Sequence, residues 1–178
     1  MSVVIYHNGV LGTDSRGIYE KDGWKETIFE MQKLWVDEDR QVAFSLCGKN
    51  PNFFLRTSYR TILCGMVKEM DGDGNTTSLD LAEILQDKFG ENGDISVMMM
   101  TRRELYGVDD KTIFKIDTDG SCMGNGNGFR IARMAIENGL SVYDACVLAT
   151  RISPDCGGQV RVVSRKELKL IPKKRKNK

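Results

Sequence analysis

Histidine is scarce in this sequence, and closely spaced cysteine pairs are missing from it. The 178 residues include one histidine, His7, and five cysteines with no Cys-x-x-Cys pair: Cys47, Cys64, Cys122, Cys146 and Cys156. A metal centre built on histidines is therefore excluded, and a zinc site is disfavoured, because zinc ligands usually occur in closely spaced pairs. A lone histidine also argues against catalysis by an imidazole base. We expect no metal and no cofactor.

Long apolar runs are absent as well. No stretch approaches the roughly 18 apolar residues that cross a bilayer, and the first six residues lack the basic and apolar regions of a signal peptide. Apolar residues make up 40% of the chain, and 26 basic side chains nearly balance 25 acidic ones. These values predict a cytoplasmic protein without membrane contact, folded as one globular domain over residues 1–171.

The C-terminal tail, residues 172–178, is strongly basic. It carries Lys173, Lys174, Arg175, Lys176 and Lys178, so the remainder of the chain is net acidic although the formal charge of the whole is +1. A basic end without interleaved aromatics or a recognition motif is more typical of a solvated terminus than of a nucleic-acid site. We therefore do not expect nucleic acid as a partner.

Apolar periodicity predicts strands first and helices later. Alternating and β-branched runs predict strands at 2–6, 10–14, 33–36 and 41–46, and the three-and-four spacing from Tyr59 to Met70 predicts a helix. Ser78 is the expected start of a second helix that ends at Gly90. The first two strands flank Asn8 and Gly9, a pair typical of tight hairpins.

The second half repeats this order. Strands are predicted at 95–101, around 105–106 and at 112–116, all buried on both faces, and a glycine-rich turn at 120–128 precedes helices from Phe129 and from Ser141. Two short strands, 159–163 and 168–171, complete the chain. The order predicts sheets stacked between helical layers and disfavours a doubly wound nucleotide fold.

Two glycine- and aspartate-rich segments invite ligand-binding interpretations that their spacing does not support. The segment 124–128 lacks the lysine and hydroxyl residue of a phosphate loop. The segment that starts at Asp71 has Thr76 and Ala82 where a calcium loop needs glycine and glutamate. We interpret both as turns.

The amino terminus offers a nucleophile that needs no histidine. Met1 precedes the small residue Ser2, so removal of Met1 is expected to leave a serine with a free α-amine. An α-amine has a reference pKa of about 7.7–8.0, which suits a general base for the neighbouring hydroxyl.

The register of the first hairpin decides which residue faces Ser2. A three-residue loop places Ser2 opposite Asp14, whereas a two-residue loop, Asn8 and Gly9, places Ser2 opposite Ser15 and turns Asp14 to the other face. The sequence leaves both registers open. The interpretation of Ser2 as an active nucleophile requires the first.

Several motifs together resemble a known family. They are a hairpin from Ser2 to the segment 13–16, a strand with Lys33 near its start, a strand closing on Cys47 and Gly48, helices from Phe129 and Val142, and the segment 153–158 before a closing strand. In this order they resemble the proteasome β-subunit and HslV-type peptidases, which are N-terminal nucleophile (Ntn) hydrolases. The resemblance implies an α+β fold, a four-layer αββα sandwich, and covers most of the chain.

The resemblance also implies an activity and a site. Ser2 would be nucleophile and base, Asp14 and Lys33 would tune its charge, and the Gly48 amide would hold the oxyanion. Some alignments place Glu30 or Met31 at the position of the lysine. The activity implied is cleavage of peptide bonds in peptides or unfolded proteins by a homo-oligomer, which could be a ring, with a partner unfoldase.

The supporting positions are Asn125, Ser153, Asp155 and Cys156, and the two motifs that contain them depart from the family pattern. Asn125 replaces a serine in the family's glycine-serine-glycine turn. These departures favour a second hypothesis, a catalytically degenerate Ntn-fold protein that acts as a self-assembling scaffold, inhibitor or partner-binding subunit. Cys47 is interpreted as a buried small side chain rather than as a nucleophile.

Overall fold

The computed structural model describes residues 2–21, 24–28, 30–48, 57–74, 78–80, 95–108 and 112–173. These residues form twelve strands and three α-helices. The strands are β1 (Val4–His7), β2 (Val10–Thr13), β3 (Gly17–Lys21), β4 (Trp24–Ile28), β5 (Leu34–Val36), β6 (Ala43–Gly48), β7 (Ser78–Asp80), β8 (Ile95–Met100), β9 (Leu105–Val108), β10 (Thr112–Ile116), β11 (Met123–Asn125) and β12 (Arg161–Ser164). The helices are α1 (Thr57–Asp73), α2 (Phe129–Glu137) and α3 (Val142–Ile152), and a 3-10 turn spans Arg165–Glu167.

The first hairpin has the two-residue loop. Asn8 (φ 46°) and Gly9 (φ 80°) both have left-handed backbone angles, as a type I′ turn requires. Val4 pairs with Thr13, and the same register continued past the ladder places Ser2 opposite Ser15. The register with Ser2 opposite Asp14, which the functional interpretation required, is therefore wrong.

Strand β1 lies at the centre of a sheet and is buried on both faces. It pairs antiparallel with β2 and β11 in a four-stranded sheet of order β11-β1-β2-β12. Val3 and Ile5 pack with α2 and α3, whereas Val4 and Tyr6 pack with side chains of the second sheet. Because side chains alternate along a strand, one short apolar run joins two cores.

The second sheet has six antiparallel strands in the order β5-β6-β8-β9-β10-β7. Helix α1 packs on it through Leu63, Val67 and Met70, which share a cluster with Phe44 and Met99. The three-and-four spacing that predicted this helix therefore marks its buried face. Strand β9 is buried throughout and β8 is buried from Val97 to Met100, as predicted, but Phe114 in β10 is 38% exposed. Burial of β10 on both faces was wrong, because this strand lies near the edge of the sheet.

Helices α2 and α3 cover the four-stranded sheet. The Ser141 hydroxyl accepts a hydrogen bond from Asp144 N at 3.1 Å, so the predicted N-cap of α3 is confirmed. Gly12 in β2 gives α3 its close approach, since a Cβ there would lie 2.7 Å from Val142 Cγ1. Within the described residues, no helix is long and apolar enough to cross a membrane.

Four sequence-based element predictions need correction. The polar connection expected between β2 and β5 contains the hairpin β3–β4, and the glycine-rich turn contains β11. Ser78 begins strand β7 rather than a helix, and the rest of that predicted helix, 81–90, lies outside the described residues.

The segment 168–171 is the fourth correction, since it is not a strand. Leu168 and Ile171 are nevertheless buried, in different clusters. The apolar residues of this segment therefore anchor an irregular stretch of chain in two cores; they do not mark a strand.

Replacing Gly12 with alanine should lower the free energy of unfolding by about 1–3 kcal/mol, because the added methyl overlaps α3. Urea denaturation measures this change. Gly65→Ala is the matched control. Gly65 is exposed in α1, and a Cβ added there would have no atom within 4 Å. The same methyl should therefore raise the free energy of unfolding by up to about 1 kcal/mol. An equal response of the two variants would contradict the packing of α3 on β2.

Candidate active site

Three of the sequence-predicted site residues meet in the structure. The Lys33 Nζ donates to Ser2 Oγ at 2.6 Å and to Asp14 Oδ1 at 2.9 Å. It also donates to the Arg16 carbonyl oxygen. The side chains of Ser2, Asp14 and Lys33 form a cluster, and all three residues are buried: Ser2 is 2% exposed, Asp14 1% and Lys33 3%.

Asp14 reaches this cluster although it does not pair with Ser2. Its backbone N donates to the Val3 carbonyl at 3.3 Å, so it continues the hairpin opposite Val3. Its carboxylate accepts from Val3 N at 3.2 Å and from Gly157 N at 3.0 Å. A short carboxylate readily bonds to nearby backbone amides, and this fixes Asp14 where the lysine can reach it.

Lys33 stands immediately before β5, and the adjoining strand fixes its backbone. The Lys33 carbonyl accepts from Leu46 N at 3.2 Å. The structure therefore places Lys33, not Glu30 or Met31, against Ser2: Glu30 is exposed, and Met31 lies against Gly17. An ammonium group has three N–H donors, and Ser2, Asp14 and Arg16 supply an acceptor for each.

The backbone of Ser2 is held by the glycine-rich turn before α2. Gly128 N donates to the Ser2 carbonyl at 3.2 Å. Gly126 has φ +90°, and a Cβ on it would lie 2.1 Å from the same carbonyl oxygen, so no larger residue fits there. This turn, for which the sequence did not support a phosphate-binding loop, therefore positions the candidate nucleophile.

The end of strand β6 lies beside Ser2. The Cys47 thiol is in hydrogen-bond contact with Ser2, and burial raises the pKa of this thiol. Cys47 is 6% exposed, which confirms it as a buried side chain; the raised pKa keeps the thiol neutral near pH 7 and weakens it as a nucleophile. Gly48 is the next residue and the last of β6, paired with Ile95.

The predicted supporting residues contribute less directly than expected. Asn125 is exposed, and its side chain accepts from Gly126 N at 2.6 Å rather than from the cluster. Asp155 accepts from Asn127 Nδ2 at 2.6 Å, on the exterior. Ser153 accepts from Asp155 N at 3.3 Å through its hydroxyl, which shapes the turn that follows α3.

Cys156 and its neighbours act through the backbone. The Arg16 guanidinium donates to the Pro154 and Cys156 carbonyl oxygens, and Ser15 N and Arg16 N donate to the Gly157 carbonyl at 3.2 and 3.0 Å. These bonds hold the loop that presents Gly157 N to Asp14. Burial also raises the pKa of the Cys156 thiol.

Sequence reasoning missed the backbone donors of the site, Gly128 and Gly157, and the bracing role of Arg16. Both glycines occur in turns, but glycine occurs in turns for many reasons. Their positions therefore did not identify them as donors to the site. Arg16 directly follows the Thr-Asp-Ser motif, but nothing in the sequence showed that its side chain reaches a loop 138 residues away.

The charge state of the lysine determines what this arrangement can do. A protonated Lys33 donates to Ser2 Oγ, so it cannot take the proton of that hydroxyl; it instead favours negative charge on the oxygen. Asp14 compensates the buried positive charge at 2.9 Å. The proton of Ser2 must then leave to another base. Among the described residues, no cluster of three His, Cys, Asp or Glu side chains could hold a metal ion.

Comparison with known proteins shows similarity in structure but not in sequence. No family model and no curated protein matches the sequence. Eukaryotic HslV from Trypanosoma brucei has a similar structure, with a TM-score of 0.56, 13% identity, and coverage of 92% of this chain and 98% of that one. The fold is proteasome-like.

A second neighbour supports the same fold. BPH of Thiobacillus denitrificans in complex with epoxomicin has a TM-score of 0.52 and 14% identity, over 91% of this chain and 96% of that one. A further BPH structure gives the same score and identity, over 91% and 95%. At such identity these likenesses concern the fold, a mixed α/β fold with two large antiparallel sheets, the separate hairpin β3–β4 and three helices among the described residues.

Replacing Lys33 with methionine should lower the free energy of unfolding by about 3–5 kcal/mol, because the buried Asp14 carboxylate loses its cation. Denaturant titration measures the loss. The control is Lys115→Met, which removes the partner of Glu104 from a more exposed pair at 2.7 Å and should cost less than about 1 kcal/mol.

The double variant Lys33→Met/Asp14→Leu leaves no uncompensated charge. It should therefore be less destabilised than the sum of its single variants. Additive losses would show that the two side chains do not interact.

Proposed function

We propose that this protein is an N-terminal nucleophile peptidase. Removal of Met1 makes Ser2 the N-terminal residue, and Ser2 then attacks peptide bonds. The observation that carries the proposal is the buried Lys33 ammonium that joins Ser2 Oγ and Asp14 Oδ1. The proteasome-like fold supports it. The substrates are peptides or unfolded proteins.

Each group has one role in the proposed acylation step. The free α-amine of Ser2 takes the hydroxyl proton while Oγ forms a bond to the substrate carbonyl carbon. Lys33 stabilises the negative charge that develops on Oγ, and Asp14 balances the charge of Lys33. The Gly48 amide donates to the carbonyl oxygen as it becomes an oxyanion.

The remaining steps balance protons and bonds. The carbon–nitrogen bond of the substrate breaks, and the α-amine returns its proton to the leaving amine. A water molecule then hydrolyses the ester on Ser2 Oγ, again with the α-amine as base, which releases the carboxyl product and restores the enzyme. No cofactor or metal enters the cycle.

The packing of sheets and helices supports the proposed architecture and the proposed single domain. Helices α2 and α3 cover one sheet, α1 covers the other, and a third cluster joins the sheets; we take this as the four-layer αββα sandwich of the Ntn hydrolases. Ile171 is 5% exposed, which supports one domain over residues 1–171 before the basic tail. We further propose a cytoplasmic homo-oligomer, in the form of a ring, with an unfoldase as partner.

One observation favours the second candidate, a catalytically degenerate subunit that serves as scaffold, inhibitor or binding partner. The side chain of Asn125 is directed to the exterior and does not support the cluster. A site without that support would keep the fold and the lysine bridge but react slowly. The same experiment separates the two candidates.

Intact-mass measurement after incubation with epoxomicin tests the proposal. The wild-type chain should lose Met1 and gain the mass of one epoxomicin, because the inhibitor found with the BPH neighbour would meet an activated nucleophile. Ser2→Ala should gain none. Alanine also permits removal of Met1, so processing is matched between the two proteins.

Cys47→Ala is the second control and should still form the adduct, since the thiol only neighbours Ser2. An adduct that persists in Ser2→Ala, or a wild-type chain that keeps Met1, would refute Ser2 as nucleophile. Processed wild-type protein that forms no adduct and leaves an unfolded protein uncleaved would establish the degenerate subunit instead.

A further inference from the structure

A basic cavity lies at the opposite end of β1 from Ser2. Its volume is about 360 Å³, and three of the residues that line it are cationic: Arg102, Arg165 and Lys166. The other described lining residues are neutral, among them Asn8 and Thr118. No carboxylate occurs among the described residues that line it, so the cavity carries a net positive charge.

The two arginines of the cavity are held by contacts within the fold. Arg165 N donates to the Gly9 carbonyl at 2.6 Å, and the Arg165 guanidinium lies over the Tyr6 ring at 5.5 Å from its centroid. The Arg102 guanidinium donates to the backbone carbonyls of Lys166 and Leu168. Bound in this way, the arginines lose little freedom when a ligand enters.

One polar atom in the cavity wall has no partner in the described structure. Arg165 Nε is buried and lacks a hydrogen-bond acceptor. A buried N–H without an acceptor is costly, and arginines normally satisfy theirs. This N–H is closed off from solvent, so a ligand in the cavity would meet Arg165 through its terminal guanidinium nitrogens.

Four acidic groups lie close to the cavity, and each already has a partner. Glu104 and Asp117 line an adjoining cavity that also includes Arg165. Glu104 pairs with Lys115, and Asp117 accepts from Asp119 N.

Asp119 accepts from both the backbone and the hydroxyl of Ser121, and Glu167 accepts from Ser164 N at 2.8 Å. Both carboxylates therefore stabilise turns that form the wall. They reduce the positive charge of the surroundings without presenting oxygens as lining groups.

We propose that this cavity binds a compact phosphate-bearing small molecule. Guanidinium groups match the geometry of phosphate oxygens, and two arginines held by the fold together with Lys166 compensate a dianion better than a monoanion. The neutral side chains of Asn8 and Thr118 add hydrogen-bonding groups at the rim. The ligand is thus an anion of at least two charges that fits about 360 Å³.

This site is independent of the proposed peptidase chemistry. Six residues of extended chain separate Ser2 from Asn8, which corresponds to roughly 20 Å along the strand. Neither Ser2 nor Lys33 lines the cavity. Ligand binding can therefore be measured whether or not the protein cleaves peptides.

Isothermal titration of the full-length protein with pyrophosphate, with inorganic phosphate and acetate in parallel, tests the proposal. Wild-type protein should bind pyrophosphate saturably, bind phosphate more weakly, and not bind acetate, and the affinity should fall as salt rises. Arg165→Gln should weaken binding about tenfold or more, because it removes a charge-assisted contact.

Lys166→Gln provides a second test that spares the fold, because Arg102 uses the backbone carbonyl of Lys166 and not its side chain. It should weaken binding about threefold to tenfold. Arg130→Gln is the matched control: this exposed residue in the first turn of α2 lies outside the cavity, and its loss should leave the affinity unchanged.

Three results would overturn the inference. They are absence of saturable pyrophosphate binding up to about 10 mM in wild-type protein, unchanged affinity in both cavity variants, and equal loss in Arg130→Gln. The last would show a response to net charge alone. Thermal unfolding of each variant without ligand confirms that it is folded before titration.

Discussion

The ammonium group of Lys33 connects three parts of the chain that are distant in sequence. It binds the hydroxyl of Ser2, the carboxylate of Asp14 and the carbonyl oxygen of Arg16. Because a buried charge must be compensated and hydrogen-bonded, this one group requires the amino terminus, the end of β2 and the start of β5 to meet. The orientation of the two sheets at this end of the protein depends on that requirement.

The elements with strong periodicity could be predicted from the sequence. The first hairpin, α1, α2, α3 and β8 appear close to their expected bounds, because each has a buried face and a local stop signal. The short strands β3, β4, β7 and β11 could not, since their formation depends on partners far along the chain. Burial on both faces was predicted from apolar runs, and it failed at β10, where position in the sheet decides exposure.

The side chains of the site were easier to foresee than their geometry. Ser2, Asp14 and Lys33 were each identified, but the register thought necessary to join Ser2 with Asp14 does not occur. The Lys33 side chain is long enough to reach both groups. Ser2 and Asp14 are therefore joined through the lysine although they do not lie opposite each other in the hairpin. Gly128 and Gly157 contribute backbone amides, and a backbone amide is the same in every residue except proline, so the sequence carries no signal for it.

Both edges of the four-stranded sheet are poor templates for another strand. On one side β11 has only three residues; on the other, β12 carries the exposed Arg161 and runs directly into the 3-10 turn. Short and charged edges resist the addition of foreign strands. Copies of this chain that associate would therefore not extend this sheet from one molecule to the next.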